Sequence, residues 1–180
     1  MSRAILTLTI ALIFVTAAFT LKACSRLGDR ESAVAPISED IVVLANGMVV
    51  TAPDRSVAQQ LIAWLERPEE SHQVFHLGGV QFEGRSTVPT TATQHRVPTL
   101  VRMLTAYPDV KARFIGYTGP TRHPRDDRAV EIARANWAVA ALADAGIDRE
   151  RLTARAATGA ERRSDPSASP ERVDLELSQQ

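Results

Sequence analysis

One arginine, Arg134, falls near the start of a long alanine-rich segment that follows an apolar stretch, Phe114-Ile115-Gly116-Tyr117, and a polar loop with two prolines. Residues 114–117 read as the end of a strand, residues 119–126 as the loop and residues 128–145 as a helix. A guanidinium held at such a junction makes a pocket for an anion, because its planar fork of donors matches a carboxylate. The competing expectation is a solvated charge on an exposed helix face, the commoner fate of an arginine. Other chemistry finds little footing. His72 and His76 are four apart but in a segment that reads as extended, and no cysteine or close acid completes a metal set. There is no Gly-x-Ser-x-Gly elbow, phosphate loop or His-Glu-x-x-His helix. Gly78-Gly79 suits close backbone packing in a strand better than phosphate binding. The expectation is a non-enzymatic protein without cofactor or metal.

The pocket needs a scaffold. The chain has 180 residues, 44% of them hydrophobic, and 21 basic residues balance 21 acidic ones. Those values suit one domain with attachments and exclude both a disordered chain and a nucleic-acid-coating one. Residues 74–82, 110–117, 152–157 and 172–177 read as strands, residues 87–106 and 128–145 as helices. Pro98 kinks the first helix or marks its true start. In the second, Ile132, Ala135, Val139 and Leu142 recur at spacings of three and four, a core stripe that Gly146 ends. Strands alternating with helices imply an α+β sheet covered on one face. Before this domain, assigned to residues 73–180, residues 41–44 and 49–51 read as a hairpin closed on Asn46-Gly47, and residues 56–66 as a short helix stopped by Pro68. Residues 40–70 thus form a small extension. Trp64 and Trp137 read as packing residues.

The N-terminus addresses the chain out of the cytoplasm. Ser2-Arg3 precedes an uncharged apolar run, residues 4–21, of the length of a long signal-peptide core or a short membrane span. Leu21-Lys22-Ala23-Cys24 resembles a bacterial lipobox, with Cys24, the single cysteine, as the residue that would carry lipid. Lys22 fits that motif poorly, so residues 1–24 stand equally as a lipoprotein signal or an uncleaved anchor. Residues 25–39 mix Arg, Asp, Glu, Ser and Pro without apolar periodicity and read as a solvated linker.

Several short motifs occur in a telling order: Phe75-His76-Leu77-Gly78-Gly79-Val80-Gln81-Phe82-Glu83, Leu104-Thr105-Ala106-Tyr107-Pro108-Asp109-Val110, Gly116-Tyr117-Thr118, Arg134-Ala135, Ala145-Gly146-Ile147-Asp148, Arg151-Leu152 and Arg172-Val173-Asp174. Together they resemble the OmpA-like peptidoglycan-binding domains, over residues 74–178. The resemblance implies a β-α-β-α-β-β sandwich on the periplasmic side of a Gram-negative envelope, in the outer membrane as a lipoprotein or in the inner membrane by a signal anchor. It also implies noncovalent capture of the diaminopimelate side chain of a peptidoglycan stem peptide. In that family an aspartate after the Gly-Tyr/His-Thr motif and an arginine early in the second helix grip the two charged ends of diaminopimelate.

Arg134 fills the arginine position, and Gly119 stands where the aspartate would be. Asp127 replaces a family asparagine, Val130-Glu131 a Leu-Ser pair, and Ser169 or Pro170 the asparagine before the last Arg-Val. The ligand-facing set implied by the resemblance is Thr118, Gly119, Asp127, Val130, Glu131, Arg134 and Arg172. Two readings stay open. Asp127 or Glu131 replaces the missing acid, or Glu131 pairs with Arg134 at the i, i+3 spacing and occupies it. Losing one charged contact costs about 1.5–3 kcal/mol, so weakened or altered wall binding is expected. The alternative is a domain turned into an interaction module for other envelope proteins, with no nucleic-acid partner in either case. For the anchor, metabolic lipid labelling should mark the wild-type chain and not Cys24→Ala; an unlabelled wild type would sink the lipoprotein reading.

Overall fold

Side-chain alternation along four strands decides which surface of the sheet becomes core. The computed structural model describes residues 40–67, 71–119, 123–164 and 169–179, which belong to one compact unit. The expected membrane segment with Cys24, the linker of residues 25–39 and Pro68 lie outside them. Among the described residues no helix is long and apolar enough to cross a membrane.

Strands β1 (Ile41–Val43) and β2 (Val49–Thr51) form the hairpin, paired antiparallel with Val42 opposite Val50. Its turn has Gly47 at φ +82° and Asn46 Oδ1 accepting the Met48 N–H at 3.1 Å, the use of Asn-Gly expected from its type. Helix α1 (Val57–Leu65) starts where Ser56 Oγ accepts the Gln59 N–H at 3.2 Å, and it buries Leu61, Ile62, Trp64 and Leu65. These side chains join Leu44 and Val50 in the same core cluster as the main sheet.

The main sheet has the order β3-β6-β4-β5. Strands β3 (His72–His76) and β4 (Lys111–Gly116) both pair antiparallel with β6 (Val173–Ser178), and β4 runs parallel to β5 (Leu152–Ala156). Phe75, Leu175, Phe114 and Ala154 line up across the four strands, and Trp64 meets Phe75 edge-to-face at 6.1 Å. Each large apolar side chain buried there contributes about 1.5–3 kcal/mol. The alternate positions carry charge: Arg113 reaches Glu176 at 3.0 Å, and Arg155 joins Glu161.

Three local expectations shift. The first strand ends at His76 rather than Phe82, because the chain turns at Gly78-Gly79 and Phe82 keeps one isolated bridge, to Pro89. The segment expected as one helix over residues 87–106 is two, α2 (Thr91–Gln94) and α3 (Val97–Ala106). Pro98 sits in the first turn of α3, where its missing N–H costs nothing, so it starts a helix rather than kinking one. The loop before β6 contains a further short helix, α5 (Gly159–Ser164), which its polar composition hid.

Helix α4 (Pro124–Asp144) begins earlier than expected and ends as expected, with Ile147 N–H bonding Leu142 O at 3.1 Å and Ile147 buried. It lies on β4 and β5. At the crossing, a Cβ built on Gly116 would stand 1.8 Å from the carbonyl oxygen of Glu131. Only a residue without a side chain permits that approach, and it sets how deep the first turns of α4 sink into the domain. Gly116→Ala should therefore lower stability by about 2–4 kcal/mol in urea unfolding, through forced separation of helix and strand. A loss below about 0.5 kcal/mol would mean that the crossing yields freely.

Candidate functional site

Glycine at position 116 brings α4 close enough that the charged residues of its first turns face inward. Arg134 and Glu131 are 0% and 1% exposed, and Asp127 is also buried, so these polar residues share the buried face with Ala135, Ala138 and Leu142. The expected apolar stripe holds at Ala135, Val139 and Leu142, but Ile132 is only partly buried. The face that would be hydrophobic in a simple amphipathic helix is here polar at one end, which marks a site.

Arg134 is the centre of it. Its Nε donates to Ser86 O at 2.9 Å, Nη2 to Gly84 O at 2.9 Å and Nη1 to Tyr117 O at 2.8 Å. The guanidinium carbon lies 4.9 Å from the centroid of the Phe82 ring, which also meets Trp137 edge-to-face. Three carbonyls satisfy donors without neutralising the charge. The counterion is Glu171, which pairs with Arg134 Nη1. The same carboxylate accepts the Gly119 N–H at 3.0 Å and the Thr118 hydroxyl at 3.1 Å. Burial opposes the charge on Glu171, but the Gly119 N–H, the Arg134 guanidinium and the Thr118 hydroxyl outweigh it and hold its pKa below the usual carboxylate range.

The structure thus brings Thr118, Gly119 and Arg134 together around one carboxylate. Asp127 and Glu131 are engaged elsewhere. Asp127 accepts from Arg85 Nη2 at 2.7 Å, and Arg85 Nη1 donates to Gly119 O at 2.7 Å. Glu131, the residue expected to reach Arg134 along the helix, instead accepts from Arg162 Nη1 of α5 at 3.0 Å. Burial raises the Glu131 pKa, with Arg162 and the Thr118 N–H opposing. Val130 is half-buried on α4. Arg172 belongs to a second cluster: its guanidinium stacks 3.8 Å from the centroid of Tyr117, Nε meets Asp174 at 3.1 Å, and His76 Nδ1 meets the same buried carboxylate at 2.9 Å. Burial, with Asp174 beside it, pushes the Tyr117 hydroxyl up to about 12.

Glu171 and Arg85 are the site residues that sequence reasoning passes over. Attention falls on Ser169 and Pro170 as counterparts of a family asparagine, while the acid is one residue further on. The signal for Arg85 is the Gly84 turn beside it, which aims two carbonyls at Arg134. Gly119 and Glu171 also fit one another: a Cβ on residue 119 would lie 3.2 Å from Glu171 Oε1 and 3.7 Å from Arg85 Nη1. An aspartate there would press a second carboxylate against the first.

No protein-family model matches this chain, and no curated protein matches it in sequence. Solved structures match it in fold. The periplasmic domain of Helicobacter pylori MotB superposes with a TM-score of 0.52 at 13% identity, over 61% of this chain and 78% of that one. A second structure of that domain gives 0.52 at 14% identity, over 75% and 81%. A putative MotB-like protein from Desulfovibrio vulgaris gives 0.52 at 16% identity, over 69% and 96%. The chain therefore has the OmpA-like fold that its motifs imply, on a sequence that shares little else with these structures.

The acids beside the site set an acid limit. Glu161 of α5 is held at about 2, first by the Arg155 guanidinium and, against burial, by the Thr158 N–H and hydroxyl. A carboxyl whose folded pKa lies below its ordinary 4.5 adds stability that is complete above 4.5 and is lost as pH falls toward 2. Wild type should lose urea resistance across that interval. Glu161→Gln should be less stable at neutral pH and show a shallower loss; equal slopes for the two proteins would count against the assignment.

Proposed function

We propose that this chain is a non-enzymatic envelope protein that ties a membrane to the cell wall, with its N-terminal segment in the membrane and its OmpA-like domain holding a peptidoglycan stem peptide noncovalently from the periplasmic side. One observation carries the reading: a guanidinium, a backbone N–H and a hydroxyl, from α4 and the loop after β4, converge on a single carboxylate. A buried, neutralised seat of this kind is the half of a diaminopimelate clasp that binds the acid end. The other half differs. Gly119 offers no carboxylate for an ammonium, and the Arg85 guanidinium lies close to where that carboxylate would project. Binding is accordingly weaker than an intact acid-and-arginine pair gives, by about ten- to a hundredfold for one missing charged contact.

A second reading rests on a different observation, that Arg134 has no exposed surface and its seat is already filled. On that reading the domain has left wall binding behind and serves as an interaction module among envelope proteins. Co-sedimentation of the full chain, in mild detergent, with purified sacculi separates the two. Wall binding predicts saturable but weak recovery in the pellet, reduced by Thr118→Val, which removes one donor from the seat and keeps the shape of the side chain. Arg134 is a poor choice for this control, because breaking a buried ion pair costs about 3–5 kcal/mol and would report on folding. No recovery at any sacculus concentration would leave the interaction module as the reading.

A further inference from the structure

The carboxylate in the seat belongs to the chain itself. Glu171 lies two residues before Val173, the first residue of β6, and its backbone is fixed on both sides: its N–H bonds Ser169 Oγ at 3.3 Å, and Arg172 O accepts the Tyr117 N–H at 2.8 Å. Its side chain alone spans from that anchored backbone to the seat. There it stands between Arg134, which is wholly buried, and solvent, to which the Glu171 side chain is 22% exposed.

We infer that Glu171 is an internal ligand of this site, and that an outside carboxylate enters only by displacing it. The inference rests on reading the site as a carboxylate clasp. Four features argue for exchange rather than a permanent structural bridge. The three carbonyl bonds of Arg134 come from Gly84, Ser86 and Tyr117, none of which depends on Glu171, so the guanidinium keeps its place when the side chain rotates out. Gly119 N–H and the Thr118 hydroxyl come from the residues just after β4, a strand held by its pairing with β5 and β6 and not by Glu171. The other nearby acids are already held, Asp127 by Arg85 and Glu131 by Arg162. A buried guanidinium so placed keeps its demand for an anion, and a ligand carboxylate can meet it.

The consequence is a built-in competitor. A tethered carboxylate acts at an effective concentration in the millimolar range, and the apparent affinity for an outside acid falls in proportion to the small fraction of molecules whose seat is open. Glu171 therefore sets both affinity and ligand class. Arg85 near Gly119 favours a carboxylate over an ammonium in the adjoining space, so a simple acid suffices as a first probe.

The experiment compares full-length wild type, Glu171→Ala and Glu171→Gln in thermal unfolding and titration calorimetry, with sodium acetate or meso-diaminopimelate at fixed ionic strength and chloride as control. Glu171→Ala should unfold at a lower temperature than wild type in chloride and recover as acetate rises, while wild type stays flat. Meso-diaminopimelate should bind the alanine variant at least about tenfold more tightly than wild type. An alanine variant indifferent to both probes, or equal affinity in the two proteins, overturns the inference. Should that variant fail to fold, Glu171→Gln keeps the shape, lacks the charge, and is held to the same criteria. Sacculi then separate this inference from the one beneath it. Acetate recovery without sacculus binding by any variant upholds the internal ligand and removes the wall-binding reading; equal sacculus binding without acetate recovery does the reverse.

Discussion

A guanidinium with no exposed surface of its own has to be satisfied by the groups packed around it, and at Arg134 that demand organises three separate segments. The turn at Gly84 points two carbonyls inward, the end of β4 supplies a third, and Glu171 brings the neutralising charge. Leaving any one partner out, with nothing in its place, would strand a donor or a charge at a buried position, at a cost of about 1–3 kcal/mol or more. The turn after β3, the exit of β4, the first half of α4 and the entry to β6 are therefore positioned by one side chain. Phe82 beneath it extends the same arrangement into the apolar core through Trp137.

This polar centre lies where the helix meets the sheet so closely that no side chain fits at the crossing. Gly116 admits the Glu131 backbone, and the inward face of α4 is then polar for its first turns and apolar for its last ones. The opposite face of the sheet is built on different terms. There Asp174 meets His76 and Glu176 meets Arg113, each pair directly opposite in strand register, and Arg172 joins Asp174 from two residues earlier in the same segment. Two charged clusters thus lie on either side of β6, and Arg172, adjacent to Glu171 in sequence, belongs to the other one.

The framework was legible in the sequence because its signals are periodic and local. Apolar runs mark the four strands that carry Phe75, Phe114, Ala154 and Leu175, Asn46-Gly47 announces the hairpin, and Gly146 the end of α4. Motif order carried the fold at an identity where comparison of whole sequences finds nothing. What stayed hidden is what depends on distance in space. Helical periodicity searches for apolar stripes, so by itself it leaves Arg134 between a pocket and a solvated helix face and gives no sign that Glu131 is buried beside it. Spacing along the helix suggested that these two pair; burial and α5, itself concealed in a polar loop, sent Glu131 to Arg162 instead. Glu171 is next in sequence to Pro170 and Arg172, and only the fold brings it to Arg134, which is remote in sequence.

The fit between Gly119 and Glu171 bears on how such a site changes over generations. An aspartate introduced at 119 while Glu171 remains sets two like charges side by side; removing Glu171 while 119 is glycine leaves a buried cation unneutralised. Each single step passes through a poorer protein, and only the pair of changes leads to a clasp with acid and arginine. The two positions are thus coupled, so that what is tolerated at one depends on the residue at the other. A glycine with no side chain to contribute has, through the acid beside it, become one of the less replaceable residues of the site.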